Sequence, residues 1–148
     1  MVPPAKITVP RPGPVHPRER LFRLLDRGDP VRLIWVSGPA GSGKTTAVAG
    51  YLQARRGRQL WYQLDARDLD PAGFFYYLRT ALQAGAAGRR ATLPLFTPEY
   101  ALGLPAFARN FFEAAGNALA PEAVLVFDDW QEVRDAAWLV ECLLAATA

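Results

Sequence analysis

The chain has little of what most reaction centres use: one cysteine, one histidine and one methionine in 148 residues, and two lysines against fifteen arginines. Cys142 stands alone on the apolar side of a helical pattern, which reads as a small packed hydrophobe rather than a nucleophile. His16 lies in a proline-rich stretch with no ligand cluster around it, so no chemistry is assigned to it. No apolar run reaches the length of a membrane span, and the start of the chain has no apolar core of signal-peptide length. A cytoplasmic protein is therefore expected. The basic clusters, Arg55-Arg56 with Arg58 and then Arg89-Arg90, lack interleaved aromatics and any helix-turn-helix pattern. They read as solvated helix ends or loops, so no direct DNA contact is expected from this segment.

What is present is globular. The chain is 51% hydrophobic and 21% charged, with net charge +3, and is long enough for a proper core in one domain. Residues 1–17 hold six prolines and are expected to run as an extended surface arm, with 18–148 as the folded part. Leu21, Leu24 and Leu25 give a helical stripe that Gly28-Asp29-Pro30 ends. Residues 31–37 read as a buried strand, and 45–55 continue as a helix that Gly57 stops. Residues 59–64 form a second strand, and Asp70-Pro71 starts a helix with Phe74, Tyr77, Leu78, Ala81 and Leu82 on one face. A loop is expected over 85–90. Phe107, Phe111, Ala114, Ala118 and Leu119 mark another helix. A third strand is expected at 124–127, and a last helix from about 135 carries Leu139, Cys142, Leu143 and Ala146. Alternating strands and helices predict an α/β fold with a parallel sheet covered on both faces.

One stretch carries chemistry. Gly38-Pro39-Ala40-Gly41-Ser42-Gly43-Lys44-Thr45, followed by Thr46, fits G-x-x-x-x-G-K-[ST] between the expected strand and helix. Gly38, Gly41 and Gly43 let successive backbone N–H groups point into one concavity. That concavity lies at a helix N-terminus, where free amides and the dipole favour an anion. Lys44 adds a mobile charge for the β- and γ-phosphates of ATP, and the Thr45 hydroxyl can complete the shell of a Mg²⁺ ion. The ordinary alternative is a glycine-rich turn. The second half of such a site is the acid pair Asp128-Asp129, set by the preceding apolar run at the carboxyl end of a strand, where ligands gather in parallel α/β sheets. Asp128 can hold Mg²⁺ as a Walker B acid, and Asp129 can orient or deprotonate an attacking water. The ordinary alternative for this pair is a helix N-cap.

Six stretches, in order, resemble one family. They are Lys6-Ile-Thr-Val-Pro10, Arg18-Glu19-Arg20-Leu21, the loop at 38–46, Trp61-Tyr-Gln-Leu-Asp65, Asp70-Pro-x-x-Phe-Phe-Tyr-Tyr-Leu78 and Leu125-Val-Phe-Asp-Asp-Trp130. Together they resemble the N-terminal ATPase domain of the large LuxR-type, MalT-like transcriptional regulators of the STAND class, over about residues 6–133. Gln131-Glu132 departs from the pattern, where the family often has His and an apolar residue. The resemblance implies a three-layer P-loop NTPase fold of the AAA-like kind with sheet order 5-1-4-3-2. It also implies an ATP-dependent switch in which ATP, with an inducer, favours an oligomerising state and ADP a resting one, and it places Arg18 and Glu19 beside the adenine pocket.

The family's fourth strand, sensor, lid, repeats and C-terminal helix-turn-helix do not fit before Ala148. The chain is accordingly expected to be the N-terminal part of such a domain, with slow or no independent hydrolysis, working with the remainder of a larger regulator or by self-association. Two alternatives stand beside it: a small P-loop kinase acting on a metabolite, and a truncated fragment that binds nothing tightly.

Overall fold

Apolar runs and helical stripes resolve into five helices and two strands among the residues that a computed structural model describes: 4–7, 9–11, 13, 18–26, 33–55, 58–85, 92–120 and 122–148. In chain order they are α1 (Glu19–Asp26), α2 (Lys44–Arg55), β1 (Gln59–Gln63), α3 (Pro71–Gly85), α4 (Leu104–Ala118), β2 (Val124–Asp128) and α5 (Ala137–Thr147). Short 3₁₀ turns form at Pro4–Ile7, Ala66–Leu69, Pro98–Leu102 and Trp130–Val133. The chain divides into two compact units, one of Met1–Thr8 with Arg58–Ala148 and one of Val9–Gly57. The breaks expected at Gly28-Asp29-Pro30, at Gly57 and over 86–90 lie outside the described residues, as does His16.

In the larger unit β1 and β2 pair in parallel, with Gln59 opposite Val124 and Gln63 opposite Asp128. A parallel pair needs a long crossover, and α3 and α4 lie within the one that joins these strands. Helix α3 begins where the sequence predicts. Pro71 holds the first position, and the Asp70 carboxylate accepts the Gly73 N–H at 3.1 Å. Its apolar face then drives the core. Phe75 is buried with its ring 4.8 Å from Phe107 and 5.1 Å from Phe111 in edge contacts, and it stacks on Phe96 at 5.6 Å. Phe74 meets Phe127 of β2 at 5.8 Å, so the aromatic stripes are core, as their spacing predicts. Helices α4 and α5 pack together, with Ala108, Ala115, Leu139 and Cys142 buried. Burial pushes the Cys142 thiol up to about 11, as befits a packed small hydrophobe.

Two local expectations are corrected. Residues 33–39 form no strand, and Leu33, Ile34, Trp35 and Val36 are exposed, at 39%, 48%, 57% and 37%. A run apolar on both sides is stable as a strand only between neighbours that take its backbone groups and layers that cover both faces. The sheet among the described residues has two strands, and 59–63 and 124–128 supply both. At the chain start, proline spacing predicts extended surface chain, yet Pro4–Ile7 closes a 3₁₀ turn and Lys6 is 2% exposed. An ion-pair network described below outweighs the local preference there.

Candidate functional site

The glycine-rich loop lies in the smaller unit and is built by two left-handed glycines. Gly41 has φ +76° and Gly43 φ +81°. The first permits the turn in which the Ser42 N–H donates to the Pro39 carbonyl at 3.1 Å, a turn whose third residue requires positive φ. The second places Gly43 as the lead-in to α2, its carbonyl accepting the Ala47 N–H at 2.9 Å. Lys44 is the first residue of that helix, and Thr45 and Thr46 sit half-buried in its first turn. The loop is also tight. A β-carbon on Gly38 would lie 2.9 Å from Ser42 Oγ, and one on Gly43 would lie 3.3 Å from an Arg18 nitrogen.

Two cations close on this loop. Lys44 Nζ donates to the carbonyls of Gly38 at 2.7 Å and Pro39 at 3.1 Å, so its ammonium folds back over the loop. Arg18 Nη2 donates to the Ser42 carbonyl at 3.1 Å. Glu19 opens α1 and is exposed. Helix α1 is held on α2 by Phe22, buried with its ring 5.4 Å edge-on to Tyr51. Asp26 accepts Tyr51 Oη and Arg55 Nε, each at 2.9 Å, and is ion-paired to the same guanidinium. Its hydrogen bond with Arg55 holds the Asp26 carboxyl below its usual range. The structure thus brings Arg18 together with residues 38–46.

Asp128 and Asp129 lie in the other unit, at the carboxyl end of β2. Asp128 is the last residue of the strand; its Oδ1 accepts the Asp129 N–H at 2.9 Å, and its carbonyl accepts the Leu64 N–H at 3.0 Å. Asp129 is left-handed, φ 60° and ψ 40°. That conformation costs a non-glycine residue roughly 1 kcal/mol, and Asp bears it better than most. The helix-cap alternative is met only by the main chain. The Asp129 carbonyl accepts the Glu132 N–H at 3.0 Å, while its side chain makes no cap bond and instead accepts Gln131 Nε2 at 3.2 Å. No group of three or more His, Cys, Asp or Glu side chains among the described residues forms a ready-made metal cluster. An ion there would need oxygens from water and a bound ligand, as Mg²⁺ ordinarily takes.

Beside this acid pair stands a buried network that motif reading misses. Lys6 Nζ donates to Asp68 Oδ2 at 2.5 Å, to the Gln63 carbonyl at 3.1 Å and to Tyr62 Oη at 3.4 Å, and it pairs with Asp65 at 3.2 Å. Asp68 is fully buried; it also accepts Tyr62 Oη at 2.7 Å and the Asp65 N–H at 2.8 Å. Burial, and then the bond to Asp68, push the Tyr62 hydroxyl far above its ordinary value. Asp65 caps the turn at 66–69, and its bonds to Arg67 hold its carboxyl at about 2. The legible signals were Asp-x-x-Asp at 65–68, a reciprocal capping box, and one of only two lysines in an arginine-rich chain.

No family model matches the chain, and no solved structure matches it. It is similar to a segment of proteins described as HTH-type transcriptional regulator MalT. To that of Cronobacter sakazakii it is 34% identical over 120 residues, covering 80% of this chain and 13% of the regulator. To that of Vibrio cholerae it is 32% identical over 141 residues, covering 89% and 15%. The chain therefore spans under a sixth of the length of the curated relatives it matches, and its similarity to MalT-type regulators is that of one segment.

Proposed function

We propose that this chain is the ATP-binding part of a MalT-like, ATP-dependent transcriptional regulator, a nucleotide switch with slow or no hydrolysis of its own. The observation that carries the reading is the loop at 38–45, with left-handed Gly41 and Gly43 leading into a helix that opens on Lys44. A polyphosphate fits such a loop for a physical reason. Where a side chain at 38 would strike Ser42, a glycine leaves backbone that an anion can approach. Residues 38–46 would hold the phosphates of ATP, and Arg18 and Glu19 would border its base. Lys44 would exchange its two carbonyl acceptors for phosphate oxygens. Thr45 and Asp128 would hold Mg²⁺, which when bound neutralises charge developing on the phosphates. Asp129 would orient the attacking water.

The P-loop NTPase fold belongs to the same proposal. Its order 5-1-4-3-2 makes strands two and three neighbours, and β1 pairs with β2 in parallel. The kinase alternative would seat the acidic strand against the segment before the loop, and since a strand has two edges the pairing of β2 with β1 fits either reading; Asp128-Asp129 followed by Trp130 speaks for the regulator. The parts that receive a signal and contact DNA would lie in the remainder of a regulator of the relatives' length, working in the cytoplasm. No helix among the described residues is long and apolar enough to cross a membrane.

Titration of the chain with a fluorescent ATP analogue, with and without Mg²⁺, tests this beside Lys44→Ala. Loss of charge-assisted bonds to phosphate, about 1.5–3 kcal/mol, predicts at least tenfold weaker binding for the variant. Equal binding by both proteins would refute the assignment, and transfer of phosphate to a small acceptor would turn it toward the kinase.

A further inference from the structure

We propose that Lys6 is a positioning residue for the acid pair, fastening the carboxyl end of β1 and, through it, the main chain at Asp128. The inference rests on the reading of Asp128 as the Mg²⁺-side acid, but its geometry stands within one compact unit. The Lys6 ammonium is buried and reaches the Gln63 carbonyl at 3.1 Å, and Gln63 is the register partner of Asp128. The next residue, Leu64, donates its N–H to the Asp128 carbonyl at 3.0 Å. Gln63 and Leu64 are thus gripped on one side by Lys6 and on the other by Asp128. Immediately beyond, Asp65 pairs with the same ammonium and gives its N–H to Asp68, the most deeply buried acid.

A lysine suits this place because one ammonium carries three donors on a flexible stem. Asp68, Asp65 and the Gln63 carbonyl converge on it, and the Tyr62 ring lies 4.6 Å from the nitrogen. No other cation is hydrogen-bonded to Asp68 among the described contacts. Removing Lys6 would leave a buried carboxylate uncompensated and a strand-end carbonyl without its donor. The 65–68 turn would then relax, and with it the Leu64 bond that fixes where β2 ends. A bland staple between the chain start and the sheet would need only the Asp68 pair. The bond to Gln63 makes the contact bear on Asp128.

The test separates these roles with two variants of the full chain. Lys6→Met removes the ammonium. Lys6→Met with Asp68→Asn removes both charges, so that no buried ion is left unpaired and folding is retained. In both, the Mg²⁺-independent binding of the fluorescent ATP analogue is expected to match wild type. The Mg²⁺ concentration that gives half of the metal-dependent enhancement is expected to rise about tenfold or more, the usual consequence of losing a group that orients a metal-side acid. Amide hydrogen exchange at Leu64, followed in the same proteins without nucleotide, is expected to speed up at least tenfold relative to the β1 amides before it. A folded paired variant with wild-type Mg²⁺ response and wild-type Leu64 protection would overturn the proposal. If wild type binds no nucleotide at all, the functional reading fails by itself. Leu64 exchange then decides the positioning claim: faster exchange supports it, and unchanged exchange overturns it.

Discussion

Alanine at position 41 isolates the backbone requirement of the phosphate loop from its packing. Gly41 sits at φ +76°, and an added β-carbon there would meet no atom within 4 Å. Steric crowding therefore contributes nothing, and the whole cost is conformational. An L-residue in the left-handed region costs about 1–2 kcal/mol. Against that, alanine narrows the unfolded ensemble and returns about 0.4–1 kcal/mol. The net expectation is a loss of about 1 kcal/mol in the stability of the loop. Gly38→Ala gives the contrasting case. Its φ is not left-handed, and its methyl would lie 2.9 Å from Ser42 Oγ, so the hydroxyl must rotate away. The Ser42 side chain is short and free to turn, so a smaller loss is expected.

The assay is amide exchange at Ser42, whose N–H closes the 39–42 turn, together with denaturant unfolding. A loss of about 1 kcal/mol corresponds to roughly fivefold faster exchange if opening of the turn governs it. A D-alanine placed at 41 by chemical ligation should reverse the sign, because the D-residue prefers positive φ. If L-alanine at 41 is as stable as glycine and D-alanine gains nothing, the loop does not hold the left-handed geometry. Gly41 and Gly43 would then build no phosphate cradle.

Acid should loosen the turn after β1. Asp65 is held at about 2 in the folded chain against an ordinary 3.8, chiefly by its bonds to Arg67. A depressed folded-state value means that its stabilisation is present above about pH 4 and fades as pH falls toward 2. Unfolding across that window should show the slope in wild type and a shallower one in Asp65→Asn; equal slopes would contradict it. At the other acid, Asp129→Asn should keep nucleotide binding and abolish hydrolysis in a complete regulator, since Asn tolerates the left-handed conformation that this residue holds at φ 60°. Hydrolysis at the wild-type rate would remove Asp129 from the proposed water-orienting role.

Much of the fold is legible because the elements that form are the ones whose local signals and packing agree. Asp70-Pro71 starts α3, Phe74, Leu78, Ala81 and Leu82 of its stripe are buried, and the apolar run ending in two acids is a strand. Residues 33–36 have an equally clear strand pattern and do not form one. A strand pattern records how a side chain would be covered; whether a strand exists depends on a backbone neighbour that no local window contains. The same distinction separates the two halves of the candidate site. The loop is legible because its chemistry is contiguous, from Gly38 to Thr46, and its geometry follows from glycine itself.

The burial of Lys6 and its partners were illegible for the opposite reason. Its partners stand 56 to 62 positions away, and proline spacing around it predicts exposed chain. Burying a lysine is unfavourable unless acceptors meet it, and three side chains and a carbonyl do so here. Local preference sets the conformation of a segment only while no tertiary contact outweighs it. The Asp-x-x-Asp capping box could have revealed that 65–68 forms a turn, but a capping box does not require a distant cation. What requires one is the burial of Asp68, a consequence of how α3 and β1 pack. A buried carboxylate is therefore the mark by which such a lysine can be sought: an aspartate kept ionised inside is stabilised by a cation brought to it, as Lys6 is to Asp68.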